Sequence, residues 1–277
     1  MKYDTLILSG GSVKGYAFIG SFKYLLDNKI IEIHKLKHII GASVGAMMAI
    51  PLLLNVSIEL FYKIIIQTNI KLYDKDDFKI ANLINDFGIF DNTSIETYVS
   101  TFCRHILKVE NITLKELYEL SKIKFTVKVS NVTKNKVEYM NYLNYPDIDL
   151  VTLIKMTTSI PLVFKPVLYN GCLYSDGAVG GGLPIEYNKS KKYLGIVLYP
   201  LERKSKEHLN ILDFMNNLFH LHHCENDYNN YKKYKNIIFI DVNASFKIDI
   251  TEEEKIKFFK EGYLQTKKFF TDSSQHS

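Results

Sequence analysis

The chain has few of the residues that mark several large classes of protein. Its 277 residues include no tryptophan and only three cysteines, which are widely spaced and odd in number. That pattern argues against a disulfide framework and favours a reducing compartment. Only 14 glycines and 6 prolines occur, and no stretch rich in them marks a linker between domains. We therefore expect a single domain over residues 1–277.

Arginine and long apolar runs are also scarce. Arg104 and Arg203 are the two arginines, so the net charge of +5 is carried almost wholly by lysine. Because specific base recognition relies on arginine, we expect no nucleic-acid partner. The longest apolar run, residues 39–54, is shorter than the ~20 residues of a membrane-spanning helix, and the N-terminus lacks the apolar core of a signal peptide. We expect a cytoplasmic or intracellular protein that is peripheral to membranes when active.

The clearest motif is the G-x-S-x-G pattern formed by Gly41, Ser43 and Gly45. An apolar segment suited to a buried strand, residues 36–40, precedes it, and small helix-compatible residues, 46–50, follow. A serine at the apex of a tight strand-to-helix turn is typical of a nucleophile elbow. A serine that merely ends a strand is the alternative, and so short a motif does not decide between them.

A glycine loop follows the first predicted strand, residues 5–8, and precedes an amphipathic helix. A dinucleotide fingerprint would need glycine in place of Ser12, and a P-loop would need lysine in place of Tyr16. The adjacent Gly10 and Gly11 instead suit an oxyanion hole, in which successive backbone N–H groups converge on one point. Two consecutive strands that end in such loops would place both loops at one edge of a parallel sheet.

Apolar periodicity predicts the remaining elements. Asn170-Gly171 separates two short strands and is a strong hairpin signal. Asp176 lies between the end of that hairpin and a glycine cluster at 180–182, although a turn aspartate is common on its own. The predicted helices are 58–72, 78–87, 93–107, 113–121, 149–158, 209–221 and 252–270, and the predicted strands are 124–129, 137–140, 167–169, 172–174, 193–198 and 237–242.

The glycine loop, the serine motif and Asp176-Gly177-Ala178 occur in this order, with Thr-Ser-Ile-Pro at 158–161 and Phe-Lys-Pro at 164–166 between the last two. Together they resemble the patatin-like phospholipase family over about the first 190 residues. The resemblance implies an α/β fold, a three-layer α/β/α sandwich with a mainly parallel central sheet. It places the catalytic core at about 5–190, with 191–277 continuing the same fold. It also implies hydrolysis of acyl esters in phospholipids or other lipids, with no cofactor.

The resemblance assigns roles by position. It implies a Ser–Asp dyad without histidine, in which Ser43 is the nucleophile and Asp176 is the base. It also implies an oxyanion hole around Gly10, Gly11 and Ser12. Positions that support these motifs are Lys14, Gly15, Gly41, Gly45, Gly177 and Ala178.

The chain departs from the family pattern at Ser12, where a third glycine is usual. If this position requires a positive φ, serine is strained by on the order of 1–2 kcal/mol. If the helix has already begun there, serine costs little.

Three other interpretations compete with a Ser–Asp hydrolase. A cluster of His220, His222, His223 and Cys224 on a predicted helix suggests a metal site, but further ligands at suitable spacing are missing, and we expect no metal. A Ser–His–Asp esterase would need a histidine in a loop after the acid, whereas these histidines and His208 lie in or beside a helix. The third alternative is a catalytically weak lipid-binding or storage protein on the same scaffold.

Apolar residues beside lysines at 60–66 suggest a transient contact with a membrane surface. The same residues also suit a helix that covers the sheet.

Overall fold

The computed structural model describes residues 2–67, 80–199, 229–242 and 250–274, together with residue 214. The strands are β1 (Thr5–Leu8), β2 (His38–Ala42), β3 (Gly88–Phe90), β4 (Lys124–Asn131), β5 (Lys136–Met140), β6 (Leu162–Phe164), β7 (Val167–Tyr169), β8 (Cys172–Ser175), β9 (Tyr193–Leu198) and β10 (Ile237–Ile240). The helices are α1 (Tyr16–Asp27), α2 (Val44–Leu53), α3 (Ile58–Gln67), α4 (Ile80–Asp86), α5 (Thr93–Phe102), α6 (Leu114–Ser121), α7 (Leu150–Thr158) and α8 (Glu252–Ser274).

The fold is organised around an eight-stranded sheet in the order β10-β9-β1-β2-β4-β8-β7, with β5 also paired to β4. Strands β10, β9, β1, β2 and β4 are mutually parallel, whereas β5, β8 and β7 form the antiparallel part. Helices cover both faces. The α/β/α fold class predicted from the sequence is confirmed, and β9 and β10 extend the same sheet beyond residue 190.

Both faces of the sheet are buried, as parallel strands require. Successive side chains of β1 alternate between two cores. Leu6 and Leu8 pack into the large core with the apolar faces of α1 and α2, whereas Ile7 packs into a smaller core on the opposite face. The continuous apolar strands of the sequence therefore reflect burial on both sides.

Local turn and cap chemistry matches the sequence. Asn170 and Gly171 have φ of 47° and 71°, as expected for a two-residue hairpin turn that needs positive φ at both positions. Thr113 and Glu116 form a reciprocal capping box at the start of α6. The hairpin was predicted correctly because its turn signal depends on neighbouring residues alone.

Other elements differ from the prediction. The three-residue strands β3 and β6 form a separate small parallel sheet, and their sequences are too short to show a periodicity. The helix predicted over 93–107 is α5 followed by a π-helical turn at Cys103–Leu107. Apart from residue 214, the helix predicted at 209–221 lies outside the described residues, as do the last residues of the one at 58–72.

Most of the apolar residues at 60–66 pack against the core, whereas Leu60 is 43% exposed. Phe61, Ile65 and Ile66 on α3 are buried. Phe61 and Ile65 belong to the large core, which also contains the apolar face of α1. A contact between this helix and a membrane surface stays a prediction, because its buried residues cover the core while Leu60 and Lys63 remain exposed. Across the described ranges, no helix combines the length and the apolar character needed to cross a bilayer.

Candidate active site

Strand register brings two distant loops together. Val127 and Lys128 of β4 pair with both β2 and β5, so these two strands lie on opposite sides of β4. Ser130 and Asn131 pair with both β5 and β8, which places β8 on the same side as β2. Because β8 is antiparallel to β4 and β2 is parallel to it, the C-terminal ends of β2 and β8 point toward each other along one side of β4.

Ser43 and Asp176 are the first residues after these two strand ends. Ser43 lies between β2 and α2 with φ 51° and ψ −131°. A positive φ is unfavourable for serine by about 1 kcal/mol, and it turns the chain sharply from strand to helix. Asp176 begins the turn that follows β8. Both side chains are buried, with relative exposures of 5% and 4%.

The two side chains are hydrogen-bonded. Ser43 Oγ donates to Asp176 Oδ2 at 2.5 Å, and the other carboxylate oxygen, Oδ1, accepts from the Ala178 N–H at 2.7 Å. The backbone of Asp176 is also fixed: its N–H donates to the Ser159 carbonyl at 2.9 Å, and its carbonyl accepts from Ser130 Oγ at 2.9 Å. The carboxylate is therefore held in one orientation toward the serine.

Burial raises the pKa of Asp176 to about 6 from an ordinary value of 3.8. The hydrogen bonds from Ser43 and Ala178 and the positive charge of Lys128 act in the opposite direction. Desolvation disfavours the charged form, and here it outweighs the groups that stabilise that form. A carboxylate of raised pKa is a better proton acceptor, so this environment suits a general base.

The glycine loop lies against the same pair. A Cβ added to Gly10 would lie 3.4 Å from Ser43 Cβ and 2.6 Å from Ala178 Cβ. The sequence suggested the Gly10 N–H as an oxyanion donor. This amide already donates to the Gly182 carbonyl at 2.9 Å, so it is not available for that role. Within the described residues, we find no hydrogen bond donated by the N–H of Gly11 or Ser12. These two amides are the remaining candidates.

Ser12 has the positive φ that is unfavourable for serine. Its φ is 51°, although it is the first residue of a short 3-10 helix that ends at Gly15. Serine therefore occupies a position where glycine would be unstrained.

We expect Ser12→Gly to raise the free energy of unfolding by about 0.5–1 kcal/mol, because the positive φ no longer carries a Cβ. Ester hydrolysis should be unchanged or faster. Ser12→Ala is the matched control, since it removes the hydroxyl but keeps the strained Cβ, and it should show no gain in stability. Chemical denaturation and rate measurements on the three proteins test this, and a large loss of rate in both variants would instead assign a role to the hydroxyl.

The other motif positions explain how closely these segments approach. A Cβ added to Gly45 would lie 2.4 Å from the Ser9 carbonyl oxygen, and one added to Gly177 would lie 1.9 Å from the Lys128 carbonyl oxygen. Neither position has room for a side chain. Of the remaining motif positions, Gly15 lies against Val44, Gly41 lies against Ala46, and Lys14 is buried.

The sequence did not predict a role for Lys128. Lys128 shares the alternating polar positions of β4 with Lys124 and Thr126, a pattern typical of solvent-facing residues, but its side chain is 1% exposed. Its Nζ donates to the carbonyls of Gly180 and Gly181, each at 3.0 Å, and to Glu186 Oε1 at 2.8 Å. Lys128 thus fixes the glycine cluster that follows Asp176. In the sequence, Lys128 alternates with apolar residues as Lys124 and Thr126 do, so no signal distinguished it.

In the described part of the chain, no histidine hydrogen-bonds to Ser43 or Asp176. His38 lies at the opposite end of β2 from Ser43, and burial lowers its pKa to about 4. His34 and His105 are exposed. The residues of the predicted His-Cys cluster, 220–224, and His208 lie outside the described ranges. Among the described residues, no group of three or more His, Cys, Asp or Glu side chains is arranged to hold a metal ion.

Viral proteins resemble this chain in sequence. The "Probable lipid hydrolase 463L" of Invertebrate iridescent virus 6 is 26% identical over 265 residues, which cover 94% of this chain and 86% of the viral protein. The "Uncharacterized protein R571" of Acanthamoeba polyphaga mimivirus is 28% identical over 185 residues, covering 66% of this chain and 61% of R571.

Bacterial proteins resemble it in fold. VipD from Legionella pneumophila has a TM-score of 0.65 at 18% identity, with 98% of this chain and 67% of VipD covered. The type III effector protein ExoU has a TM-score of 0.52 at 13% identity, with 98% of this chain and 53% of ExoU covered. This chain therefore spans about half of ExoU. The sequence profile of the patatin-like phospholipase family matches residues 6–188. Because this match covers well over half of the chain, the chain belongs to the patatin-like phospholipase family.

Proposed function

We propose that this protein is a lipid acyl hydrolase, of phospholipase A type or with broader esterase activity, that acts through an acyl-enzyme on Ser43. The observation that carries the proposal is the 2.5 Å hydrogen bond from Ser43 Oγ to the buried Asp176 carboxylate. Membership of the patatin-like phospholipase family and the similarity to a viral protein named as a probable lipid hydrolase support the reaction class.

In the proposed reaction, Ser43 Oγ attacks the carbonyl carbon of the acyl ester while its proton passes to Asp176 Oδ2. The N–H groups of Gly11 and Ser12 stabilise the resulting oxyanion. The bond between the acyl carbon and the alcohol oxygen then breaks, and the alcohol leaves with the proton from Asp176. Water repeats the sequence: it gives its proton to Asp176, attacks the acyl carbon, and releases the fatty acid as Ser43 regains a proton.

We propose that the lipid surface is met near the small β3–β6 sheet. Ile84, Phe87 and Leu162 are exposed there, at 74%, 58% and 41%. Phe87 and Leu162 also have positive φ, which costs bulky residues on the order of 1 kcal/mol each, and Leu162 pairs with Gly88, next to Phe87. Leu162 lies three residues after Ser159, whose carbonyl accepts from the Asp176 N–H.

Fatty-acid release from a zwitterionic phospholipid, detected by mass spectrometry with the purified full-length protein, tests the proposed function. We expect release, with a higher rate on vesicles than on a short-chain phospholipid below its critical micelle concentration. Lys165 is paired with Asp86 and Asp91 at 2.9 and 3.1 Å, so anionic lipid and salt should have little effect at this surface.

The alternatives predict different results. Binding to vesicles without release of fatty acid from any phospholipid, neutral lipid or short-chain ester would identify a lipid-binding protein. Hydrolysis of soluble esters with equal rates on monomers and vesicles would leave an esterase and would reject the surface contact.

A further inference from the structure

The end of α7 contacts both halves of the Ser43–Asp176 pair. Thr157, in the last turn of α7, is fully buried, and its hydroxyl accepts from the Ser43 N–H at 2.8 Å. Two residues later, the Ser159 carbonyl accepts from the Asp176 N–H. One short segment therefore fixes the backbone at both residues.

The Thr157 hydroxyl lies between Ser43 and strand β4. It accepts from the Ser43 N–H and donates to the Lys128 carbonyl at 2.7 Å. Lys128 is the last residue of β4 that pairs with β2, opposite Ala42. The hydroxyl thus connects Ser43 to strand β4 at the point where β2 ends and the chain turns into α2.

The hydrogen bond from the Ser43 N–H to the Thr157 hydroxyl stabilises an unfavourable backbone conformation at Ser43. Ser43 has a positive φ, which persists only where the surroundings determine the backbone conformation. A buried N–H also requires an acceptor. The hydroxyl supplies that acceptor, and the glycine after Asp176 is packed against it, since a Cβ added to Gly177 would lie 2.9 Å from Thr157 Oγ1.

We propose that Thr157 is a positioning residue, whose hydroxyl holds the Ser43 backbone in the conformation that directs Oγ at Asp176. The inference rests on the proposed role of Ser43 as nucleophile. Thr157 itself contacts neither the substrate nor the ester carbonyl in this account. Loss of the hydroxyl should therefore slow the reaction of Ser43 and leave lipid binding unchanged.

Thr157→Val tests the proposal, because valine keeps the branched shape and removes the hydroxyl. We expect kcat to fall about 10²-fold with KM changed less than about threefold, since small displacements of a reacting group have effects of this size. The rate at which an organophosphorus probe labels Ser43 should fall in parallel. Thr157→Ser, which restores the hydroxyl, should recover most of both rates.

The neighbouring Thr158 provides a matched control. It is also buried, but its hydroxyl donates to the Ile154 carbonyl within the same helix, at 2.7 Å. Thr158→Val should retain kcat and probe labelling within about threefold. If Thr157→Val does not fold, the pair Thr157→Ser and Thr157→Ala measures the same contribution, because the two differ only by the hydroxyl.

Two failures can be told apart. If the wild-type protein neither hydrolyses esters nor reacts with the probe at Ser43, the proposed function fails. If wild-type Ser43 reacts and a folded Thr157→Val protein reacts equally fast, only the role of Thr157 is overturned. A Thr157→Ser protein as slow as Thr157→Val would also overturn it, since the hydroxyl would then not be the group that matters.

Discussion

Ser43→Ala should reduce ester hydrolysis by roughly 10⁴- to 10⁶-fold, the largest effect we expect from any single change. The substitution removes the only atom of this side chain that can form the acyl-enzyme, and loss of a catalytic serine has effects of this size in other hydrolases. The rate of fatty-acid release measures the effect. Mass spectrometry after treatment with an organophosphorus probe should find the label on Ser43 in the wild-type protein and none in the variant.

Ser100→Ala is a suitable control, because Ser100 is a buried serine on α5 outside the candidate site. It should retain activity and labelling. Ser43→Gly adds a second comparison: it should be as inactive as Ser43→Ala but at least as stable as the wild type, since glycine tolerates φ 51°. Hydrolysis that survives in both Ser43 variants would reject Ser43 as the nucleophile.

Asp176→Asn should reduce kcat by roughly 10³- to 10⁴-fold with little change in KM. Asparagine has nearly the same shape, and its carbonyl oxygen can still accept from the Ala178 N–H, but the side chain no longer takes a proton from Ser43. In the wild type, the pKa of Asp176 is raised to about 6, so kcat/KM should fall as pH drops below about 6. Asp4→Asn is the control, because Asp4 precedes β1 and the glycine loop follows it. This variant should keep the wild-type rate and pH profile.

Asp176→Asn should raise the stability of the protein, although it lowers the activity. The folded protein binds a proton on Asp176 more tightly than the unfolded chain does, because burial raises the pKa from 3.8 to about 6. The stability of the wild type is therefore lowered as pH rises from about 4 to 6, by on the order of 2–3 kcal/mol. An asparagine side chain does not ionise and would not carry this cost, so Asp176→Asn should gain stability relative to the wild type across that interval. Denaturation at pH 4 and pH 7 measures the difference, and a variant that is inactive and also less stable at pH 7 would argue that Asp176 is structural.

Motifs in which neighbouring residues determine the geometry were predictable from the sequence. The strand before Ser43 and the helix after it follow from an apolar run and small residues. The turn between them follows from Gly41 and Gly45, which lie against Ala46 and Ser9 respectively. The hairpin at Asn170-Gly171 was predicted for the same reason. The sheet itself followed from these elements and from the resemblance to a known family.

Features that depend on tertiary structure were not predictable. Lys128 lies where strand alternation indicates solvent, and it is buried because three acceptors from a distant loop surround its ammonium group. The Gly10 N–H had suggested an oxyanion donor, but the carbonyl of Gly182, far along the chain, accepts from it. The apolar residues of α3 were equally consistent with a lipid surface and with a core, and the structure buries Phe61 and Ile65 while leaving Leu60 exposed.

The meeting of β2 and β8 along β4 also bears on when the protein becomes reactive during its synthesis. Ser43 and Asp176 are 133 positions apart in the chain, and they approach only after β8 has paired with the far end of β4. Contacts so distant in sequence form late, because a long loop must close before they contribute. A nascent chain that already presents its serine therefore has no partner for it. Under the proposed mechanism, the nascent chain would be unreactive toward lipid esters at least until Asp176 had been synthesised and β8 had paired with β4.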